Sequence, residues 1–152
     1  KLSNRNNLIH PIYVVIMDKE QHVSWSEIDS LIESLSNLII KSQKKFSSIS
    51  TLSRGGLIPS RLLADRLGIE KIFVDEKVIS INSLVVDDIF DSGETFNKTI
   101  LKSEDSSKFL FVTLFARRGE QFPTQLIYGE ETVNDGYVVF PWDKMEFEMS
   151  IK

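Results

Sequence analysis

The sequence predicts an α/β fold in which a central, mostly parallel sheet is flanked by helices. Apolar runs with the length of strands alternate with helical segments along most of the chain. This alternation is typical of parallel strands joined by crossover helices. With 152 residues and 41% apolar composition, the chain can bury a substantial core. We therefore expect a single domain over residues 1–152, in which residues 1–22 are an N-terminal extension of unknown role.

The first predicted helix follows a polar N-terminal segment. Residues 1–10 are polar, and residues 12–17 could form a short strand. Ser24 and Glu27 have the spacing of a capping box, in which each side chain accepts a hydrogen bond from the other residue's backbone amide. Apolar residues then recur at steps of three and four, which predicts an amphipathic helix. These residues are Ile28, Leu31, Ile32, Leu35, Leu38 and Ile39.

The remaining elements alternate between strands and helices. "FSSISTLS" alternates as a strand does, and "RGG" ends it. Pro59 suits the first residue of the next helix, which Gly68 ends. Then come two strands, a short helix and two more strands, in the order "KIFVDEKVI", "SLVVDDIF", "ETFNKTILKS", "KFLFVTLFA" and "YVVFPW". Ligands of such sheets bind outside the carboxyl ends of the strands.

The composition excludes several kinds of function. A net charge of −4 gives no basis for a non-specific grip on nucleic acid. The sequence has no cysteine, which excludes a disulfide framework, a thiolate metal site and a cysteine nucleophile. No apolar stretch approaches the roughly 20 residues that span a membrane. We therefore expect a cytoplasmic protein that binds neither nucleic acid nor a membrane.

The stretch "SLVVDDIFDSGET", residues 83–95, carries the main functional signal. A buried strand runs into Asp87 and Asp88, and the small residues around Gly93 form a turn that opens a helix. Exposed backbone amides and the helix dipole suit a phosphate there, although such turns are as often plain connections. Carboxylates beside a phosphate would repel it, unless they face sugar hydroxyls or a divalent cation. The stretch therefore predicts a site for a phosphorylated sugar with a metal.

A second glycine turn, "SRGG", follows another predicted strand. Arg54 offers a planar donor fork to an oxyanion, and the two glycines allow close approach of the backbone. Alone, this pattern is more often a plain turn with a surface arginine. Beside the first turn it predicts a ligand with a phosphate at each end. The acidic residues do not have the spacing of an aspartyl-phosphatase motif. The Walker and GxGxxG patterns are also absent from the sequence.

The motifs resemble those of type I phosphoribosyltransferases, in collinear order from about Trp25 to about Phe147. "LVVDDIFDSGET" resembles the family's phosphoribosyl pyrophosphate signature, although Phe90 stands where the family usually has a smaller aliphatic residue. "SRGGLIPSRLLADRLGI" resembles the pyrophosphate loop of the bacterial xanthine-guanine branch, and "FVTLFARR" and "YVVFPWD" resemble its purine-binding segments. The resemblance implies the type I phosphoribosyltransferase fold, with a small hood.

The resemblance also implies roles around the sugar and the phosphates. Asp87 and Asp88 would hold the ribose hydroxyls and the magnesium-bound substrate, and Asp91 would lie near the purine N7 as general base or proton acceptor. The loop that would cradle the 5′-phosphate consists of Asp91, Ser92, Gly93, Glu94 and Thr95. The loop that would bind pyrophosphate, often through a cis peptide before the arginine, consists of Ser53, Arg54, Gly55 and Gly56.

Further residues are implied for the base and for a second magnesium. Arg117 falls where the family has a lysine that binds the purine 6-oxo group, and arginine can donate likewise. Tyr137 would stack on the base, Val138 would offer it backbone groups, and Asp143 would approach a second Mg²⁺. The implied reaction displaces pyrophosphate from phosphoribosyl pyrophosphate by a purine nitrogen, through positioning and charge stabilisation. The family also implies a homo-oligomer, either a dimer or a tetramer.

One departure from the family leaves a second hypothesis open. Family members carry a long mobile loop between the second and third core strands, whereas "KVISINSLVV" turns directly from one strand to the next. Because that loop excludes water from an oxocarbenium-like centre, hydrolysis would compete without it. The alternative is a catalytically weak protein that binds nucleotide or phosphoribosyl pyrophosphate in a regulatory role. The N-terminal extension or a partner subunit could also replace the loop.

Overall fold

A computed structural model describes residues 20–151. The predicted polar segment 1–10 and the predicted strand over 12–17 lie outside the described residues. The strands are β1 Glu20–His22, β2 Ser48–Thr51, β3 Lys71–Val74, β4 Ser83–Phe90, β5 Phe111–Ala116, β6 Leu126–Glu131 and β7 Tyr137–Val139. The helices are α1 Trp25–Lys41, α2 Leu57–Leu67, α3 Glu94–Ile100 and α4 Lys144–Ser150. Over residues 20–151, no helix is long and apolar enough to cross a bilayer.

The main sheet has five strands in the order β3-β2-β4-β5-β6, and every neighbouring pair is parallel. Leu84 and Val86 of β4 pack into a hydrophobic cluster with α1 and α2 on one face. Val85 packs into a second cluster on the other face, together with Phe96 of α3. Helices therefore cover both faces and bury most of the central strand, whereas Asp87, Asp88 and Ile89 are half-buried. The predicted α/β fold class is confirmed.

A small second sheet lies apart from the main one. In it, β1 pairs in parallel with β7, so that Glu20 lies opposite Tyr137 and His22 lies opposite Val139. The expectation of a strand in "YVVFPW" is confirmed over Tyr137–Val139. Residues 20–22, which the sequence analysis assigned to the N-terminal extension, thus hold the strand that carries Tyr137.

Strand β6 was not predicted from the sequence. Gly129 interrupts its apolar pattern, and glycine weakens a strand prediction. A Cβ at this position would lie 2.7 Å from the Leu114 carbonyl oxygen and 2.7 Å from Cδ2 of Leu31. The glycine therefore allows α1 to pack closely against the sheet at this strand.

Helix α1 forms as predicted from its cap. The Ser24 hydroxyl accepts a hydrogen bond from the Glu27 amide at 3.2 Å, and the Glu27 carboxylate accepts one from the Ser24 amide at 2.6 Å. The predicted buried face is confirmed except at Leu38, which is 44% exposed. Leu38 lies at the edge of the apolar stripe, where solvent reaches the helix.

Two predicted boundaries are wrong. Helix α2 begins at Leu57 rather than at Pro59, which is buried in its first turn. Proline is tolerated there because the first amides of a helix have no partner within it. The strand predicted over residues 71–79 ends at Val74, because Asp75 adopts a left-handed conformation with φ of 52°.

The connection from β3 to β4 is short, as the sequence predicted. It spans residues 75–82 and packs on the body of the protein through Ile79. The Ile79 amide donates to the Lys102 carbonyl at 2.8 Å, and its carbonyl accepts from the Glu104 amide at 3.0 Å. This segment is therefore tied down beside α3.

Candidate active site

Asp87 and Asp88 lie within strand β4, not after it. The strand continues through both residues to Phe90, which confirms the strand predicted over "SLVVDDIF". The Asp88 amide donates to Oδ1 of Asp87 at 2.9 Å, and the Ile89 amide donates to Oδ1 of Asp88 at 2.8 Å. Each carboxylate is thereby fixed by the backbone amide of the next residue.

The environment of these two acids disfavours negative charge. Burial, together with the neighbouring Asp88 carboxylate, raises the pKa of Asp87 to about 8. Burial also raises the pKa of Asp88. Within residues 20–151 no basic side chain hydrogen-bonds to either carboxylate, so the protonated form of the pair is favoured. A bound cation, or hydroxyl groups that donate hydrogen bonds, would therefore favour ionisation of the pair.

The predicted phosphate loop follows directly on β4. Gly93 has a φ of 85° and precedes the first residue of α3, so the loop makes a sharp turn there. A cavity of about 180 Å³ is lined by the acidic pair and this loop. Phe90, which departs from the family pattern, is buried beneath the loop against Phe96 and Phe122. Its ring supports Gly93, where a Cβ would lie 3.1 Å from the ring's Cζ.

The predicted pyrophosphate loop packs directly against the acidic pair. The peptide bond between Ser53 and Arg54 is cis, as the resemblance implied. The Ser53 amide donates to Asp75 at 2.9 Å and the Ser53 hydroxyl also donates to that carboxylate, which lowers the pKa of Asp75. A Cβ on Gly55 would lie 2.5 Å from Oδ2 of Asp88. The absence of a side chain at Gly55 is what lets this loop reach the acids.

One open cleft of about 530 Å³ joins the predicted groups of different segments. Its lining includes Arg54 and Gly55 of the pyrophosphate loop, Asp88 of the acidic pair, and Tyr137 and Asp143. Burial raises the pKa of Asp143, and the negative charge of Asp88 raises it further by a smaller amount. Tyr137 is 55% exposed, whereas Val138 is buried beside it. The fold therefore assembles these residues at one edge of the main sheet, as predicted.

Helix α4 adds two site residues that the sequence analysis missed. Glu146 forms an ion pair with Arg54, and Phe147 stacks on Tyr137 with ring centroids 5.6 Å apart and planes at 21°. Met145, Phe147 and Met149 alternate with polar residues, which is a strand-like spacing and gives no helical signal. Both contacts lie at positions where the resemblance implies ligand groups.

Arg117 lies at the other end of the site. Its guanidinium donates to the Asp91 carboxylate, from Nε to Oδ1 at 3.1 Å, and to the carbonyls of Asn134 and Gly136. The side chain is 13% exposed, whereas that of Asp91 is 64% exposed. Arg117 therefore touches the phosphate loop and the turn before β7 rather than the 530 Å³ cleft.

The donor set fits a magnesium ion that arrives with a phosphorylated ligand. Within residues 20–151, no group of three or more His, Cys, Asp or Glu side chains is arranged to hold a metal. Asp87 and Asp88 nevertheless offer carboxylate oxygens side by side, the hard ligands that Mg²⁺ prefers. Mg²⁺ keeps several waters and is commonly held by one or two carboxylates together with substrate phosphates. A small donor set of this kind suits that mode of binding.

Comparison with known proteins gives consistent results. No protein-family model matches the chain. The xanthine-guanine phosphoribosyltransferase of Gluconobacter oxydans is 28% identical over 144 residues, covering 80% of this chain and 83% of that protein. The Helicobacter pylori xanthine-guanine-hypoxanthine phosphoribosyltransferase has a TM-score of 0.69 at 16% identity, covering 88% of this chain and 99% of that one. A Neisseria gonorrhoeae protein solved with bound ppGpp has a TM-score of 0.64 at 19% identity, covering 86% of this chain and 93% of that one.

The fold is that of the purine phosphoribosyltransferases among the solved structures, and the curated relatives are phosphoribosyltransferases. The resemblance to the type I family that the sequence motifs carry is supported by the curated relatives, at 27–28% identity, and by the fold. Phosphoribosyltransferases are glycosyltransferases, and the prediction of an enzyme of this kind is confirmed.

Asp87→Asn should stabilise the protein at neutral and alkaline pH. A carboxyl group whose pKa is raised on folding destabilises the native state as it ionises, so stability should fall as the pH rises from about 3.8 to about 8. Since one pKa unit corresponds to about 1.4 kcal/mol, the rise from 3.8 to about 8 sets an upper limit of about 5 kcal/mol, and we expect a gain of a few kcal/mol at pH 8. Urea denaturation across this pH range measures it. Asp29→Asn on α1 is the control, and identical pH profiles for Asp87→Asn and the unchanged protein would contradict the burial argument.

Gly55→Ala should impair ligand binding more than folding. The added Cβ would lie 2.5 and 2.8 Å from the two carboxylate oxygens of Asp88, so that side chain must turn away. We expect affinity for phosphoribosyl pyrophosphate with Mg²⁺ to fall about tenfold, with a Tm change of a few degrees at most. Calorimetric titration and thermal melting check this. Gly68→Asn, in an open left-handed position that asparagine tolerates, should leave the affinity unchanged. Unimpaired binding by Gly55→Ala would argue against the role of this loop.

Proposed function

We propose that the protein transfers the phosphoribosyl group of phosphoribosyl pyrophosphate to a 6-oxopurine, namely guanine, xanthine or hypoxanthine. The products are the nucleoside monophosphate and pyrophosphate. One observation carries this proposal: two glycine-containing loops flank a half-buried acidic pair at one edge of a parallel sheet. The names of the curated relatives, which are xanthine-guanine phosphoribosyltransferases, support the choice of purine.

The acidic pair would hold the sugar and the metal. Asp87 and Asp88 are adjacent, oriented by backbone amides and close to the pyrophosphate loop. They would accept hydrogen bonds from the two ribose hydroxyls and hold the Mg²⁺ that arrives with the substrate, whereas Asp143 would approach a second Mg²⁺. Bound Mg²⁺ would neutralise charge on the departing pyrophosphate. Ser53 to Gly56 would bind that pyrophosphate, with the Arg54 guanidinium as its charged donor.

The phosphate loop and β7 would position the other two parts of the substrates. The loop from Asp91 to Thr95 would hold the 5′-phosphate at the beginning of α3. Asp91 would accept the proton that the purine loses at N7 as its N9 attacks C1 of the sugar. Tyr137 would stack on the base, the Val138 backbone would contact its edge, and Arg117 would donate to its 6-oxo group. The reacting atoms are thus brought together by positioning rather than by a covalent intermediate.

A catalytically weak, regulatory protein is the second candidate. The connection over residues 75–82 is short and is tied to residues 102–104 by backbone hydrogen bonds, so no long loop arises there. A structural neighbour from Neisseria gonorrhoeae was solved with ppGpp, a guanine nucleotide, which is the class of ligand that such a regulator would bind. The groups that bind the ground state remain in either case, and what differs is the stabilisation of the transition state.

The deciding experiment combines turnover with binding. Guanine, hypoxanthine or xanthine is incubated with phosphoribosyl pyrophosphate and Mg²⁺, and nucleotide and free ribose phosphate are both quantified. We expect nucleotide formation at a low rate with measurable hydrolysis, because no long loop excludes water from the sugar centre. Calorimetry should show binding of phosphoribosyl pyrophosphate at the same time. Binding of phosphoribosyl pyrophosphate without formation of nucleotide would favour the regulatory candidate. If neither phosphoribosyl pyrophosphate nor a nucleotide binds, both candidate functions are refuted.

Glu146→Gln should strengthen binding of pyrophosphate. In the free protein the Glu146 carboxylate pairs with Arg54 and so competes with the anion for that guanidinium. Exposed ion pairs contribute about 0–1 kcal/mol, so we expect affinity to rise up to about fivefold. Titration with pyrophosphate and Mg²⁺ at low salt measures the change. Glu148→Gln alters the charge of the same helix equally and should have a smaller effect. Equal effects of the two variants would mean that only net charge matters.

A further inference from the structure

We propose that Arg117 is a positioning residue that ties the phosphate loop to the turn before β7, and that it keeps only one N–H for the purine. The catalytic consequence of this inference rests on the proposed function. The structural tie between the two segments does not depend on that function. It assigns to Arg117 a task that the lysine of the resembled family has too few directed donors to perform.

The contacts of Arg117 reach two segments that are far apart in the sequence, Phe90–Asp91 and Asn134–Gly136. Nε donates to Oδ1 of Asp91 at 3.1 Å, and Nη2 faces Oδ2 at 3.5 Å. Nη1 donates to the Gly136 carbonyl at 2.8 Å and to the Asn134 carbonyl at 3.2 Å. The backbone amide of Arg117 donates to the Phe90 carbonyl at 2.7 Å. One residue at the end of β5 therefore connects the loop after β4 with the turn that leads into β7.

The number of donors decides how Arg117 can take part in binding the base. A guanidinium has five N–H groups, and the contacts to Asp91, Asn134 and Gly136 engage four of them. The one that remains is on Nη2, next to Asp91. A 6-oxo group could accept that single hydrogen bond while all the other contacts persist. A lysine ammonium, with its three donors on one atom, could meet the 6-oxo group but not both segments.

The neighbouring residues support a positioning role at the same turn. The Arg118 guanidinium donates to the Val133 carbonyl at 3.2 Å, and the Gly136 amide donates to the Asn134 side chain at 2.8 Å. Tyr137 follows immediately. The tie thus sets the distance between Asp91, the proposed proton acceptor, and the strand on which the base would lie. A displacement of about 1 Å in such a geometry can lower a rate about 100-fold.

Arg117→Lys separates a tie from a simple contact to the 6-oxo group. We expect kcat to fall at least tenfold and the preference for guanine over adenine to persist, with KM for phosphoribosyl pyrophosphate changed less than threefold. Arg118→Lys, which affects the same turn without touching Asp91, is the control and should retain most of kcat. If Arg117→Lys keeps the unchanged protein's kcat, Arg117 only reads the base and the proposal is wrong.

Amide hydrogen exchange tests the tie without any catalysis. In Arg117→Lys, exchange at residues 134–138 should accelerate at least tenfold, and it should accelerate less in Arg118→Lys. Asp91→Asn keeps the arginine but weakens its anchor, so it should also accelerate exchange at residues 134–138; this variant serves as well if Arg117→Lys folds poorly. Unchanged exchange in both Arg117→Lys and Asp91→Asn would refute the tie. An unchanged protein without turnover would instead refute the proposed function, so the two failures are distinguishable.

Discussion

The two adjacent carboxylates of Asp87 and Asp88 are the constraint around which this site is organised. They lie within the central strand of a sheet covered on both faces, where burial makes negative charge costly. Over residues 20–151, backbone amides orient the pair and no basic side chain hydrogen-bonds to it. The ionised pair therefore does not stabilise the fold, and its surroundings do not stabilise its negative charge. In the proposed function, a bound cation and the hydroxyl groups of a sugar would favour the charged pair.

The surrounding loops depend on where this pair lies. Position 55 requires a glycine, because the Asp88 carboxylate occupies the space that a Cβ would need. Phe90 follows the pair in β4 and supports the turn at Gly93, so the larger residue that departs from the family pattern becomes a buried support. Arg117 then ties Asp91 to the segment that carries Tyr137. The same edge of the sheet would thus fix phosphate, sugar and base relative to one another.

The sequence predicted the parts of the site that local chemistry determines and missed those that depend on tertiary packing. The acidic pair, both glycine turns, the capping box of α1 and the short connection after β3 all follow from residue type and spacing. Strand β6 was missed because Gly129 interrupts its pattern. A glycine is needed there because Leu31 packs closely against the strand, a contact that no local pattern reveals. The pairing of Glu146 with Arg54 and the contacts of Arg117 join residues far apart in the chain. No periodicity encodes such contacts.

The most direct test is a crystal structure of the protein with a purine nucleoside monophosphate and Mg²⁺. We expect the phosphate to lie within hydrogen-bonding distance of the backbone amides from Ser92 to Thr95. The ribose hydroxyls, or a bound Mg²⁺, should contact Asp87 and Asp88. A nucleotide bound elsewhere on the protein, with this loop empty and the two carboxylates facing only solvent, would contradict the proposed site.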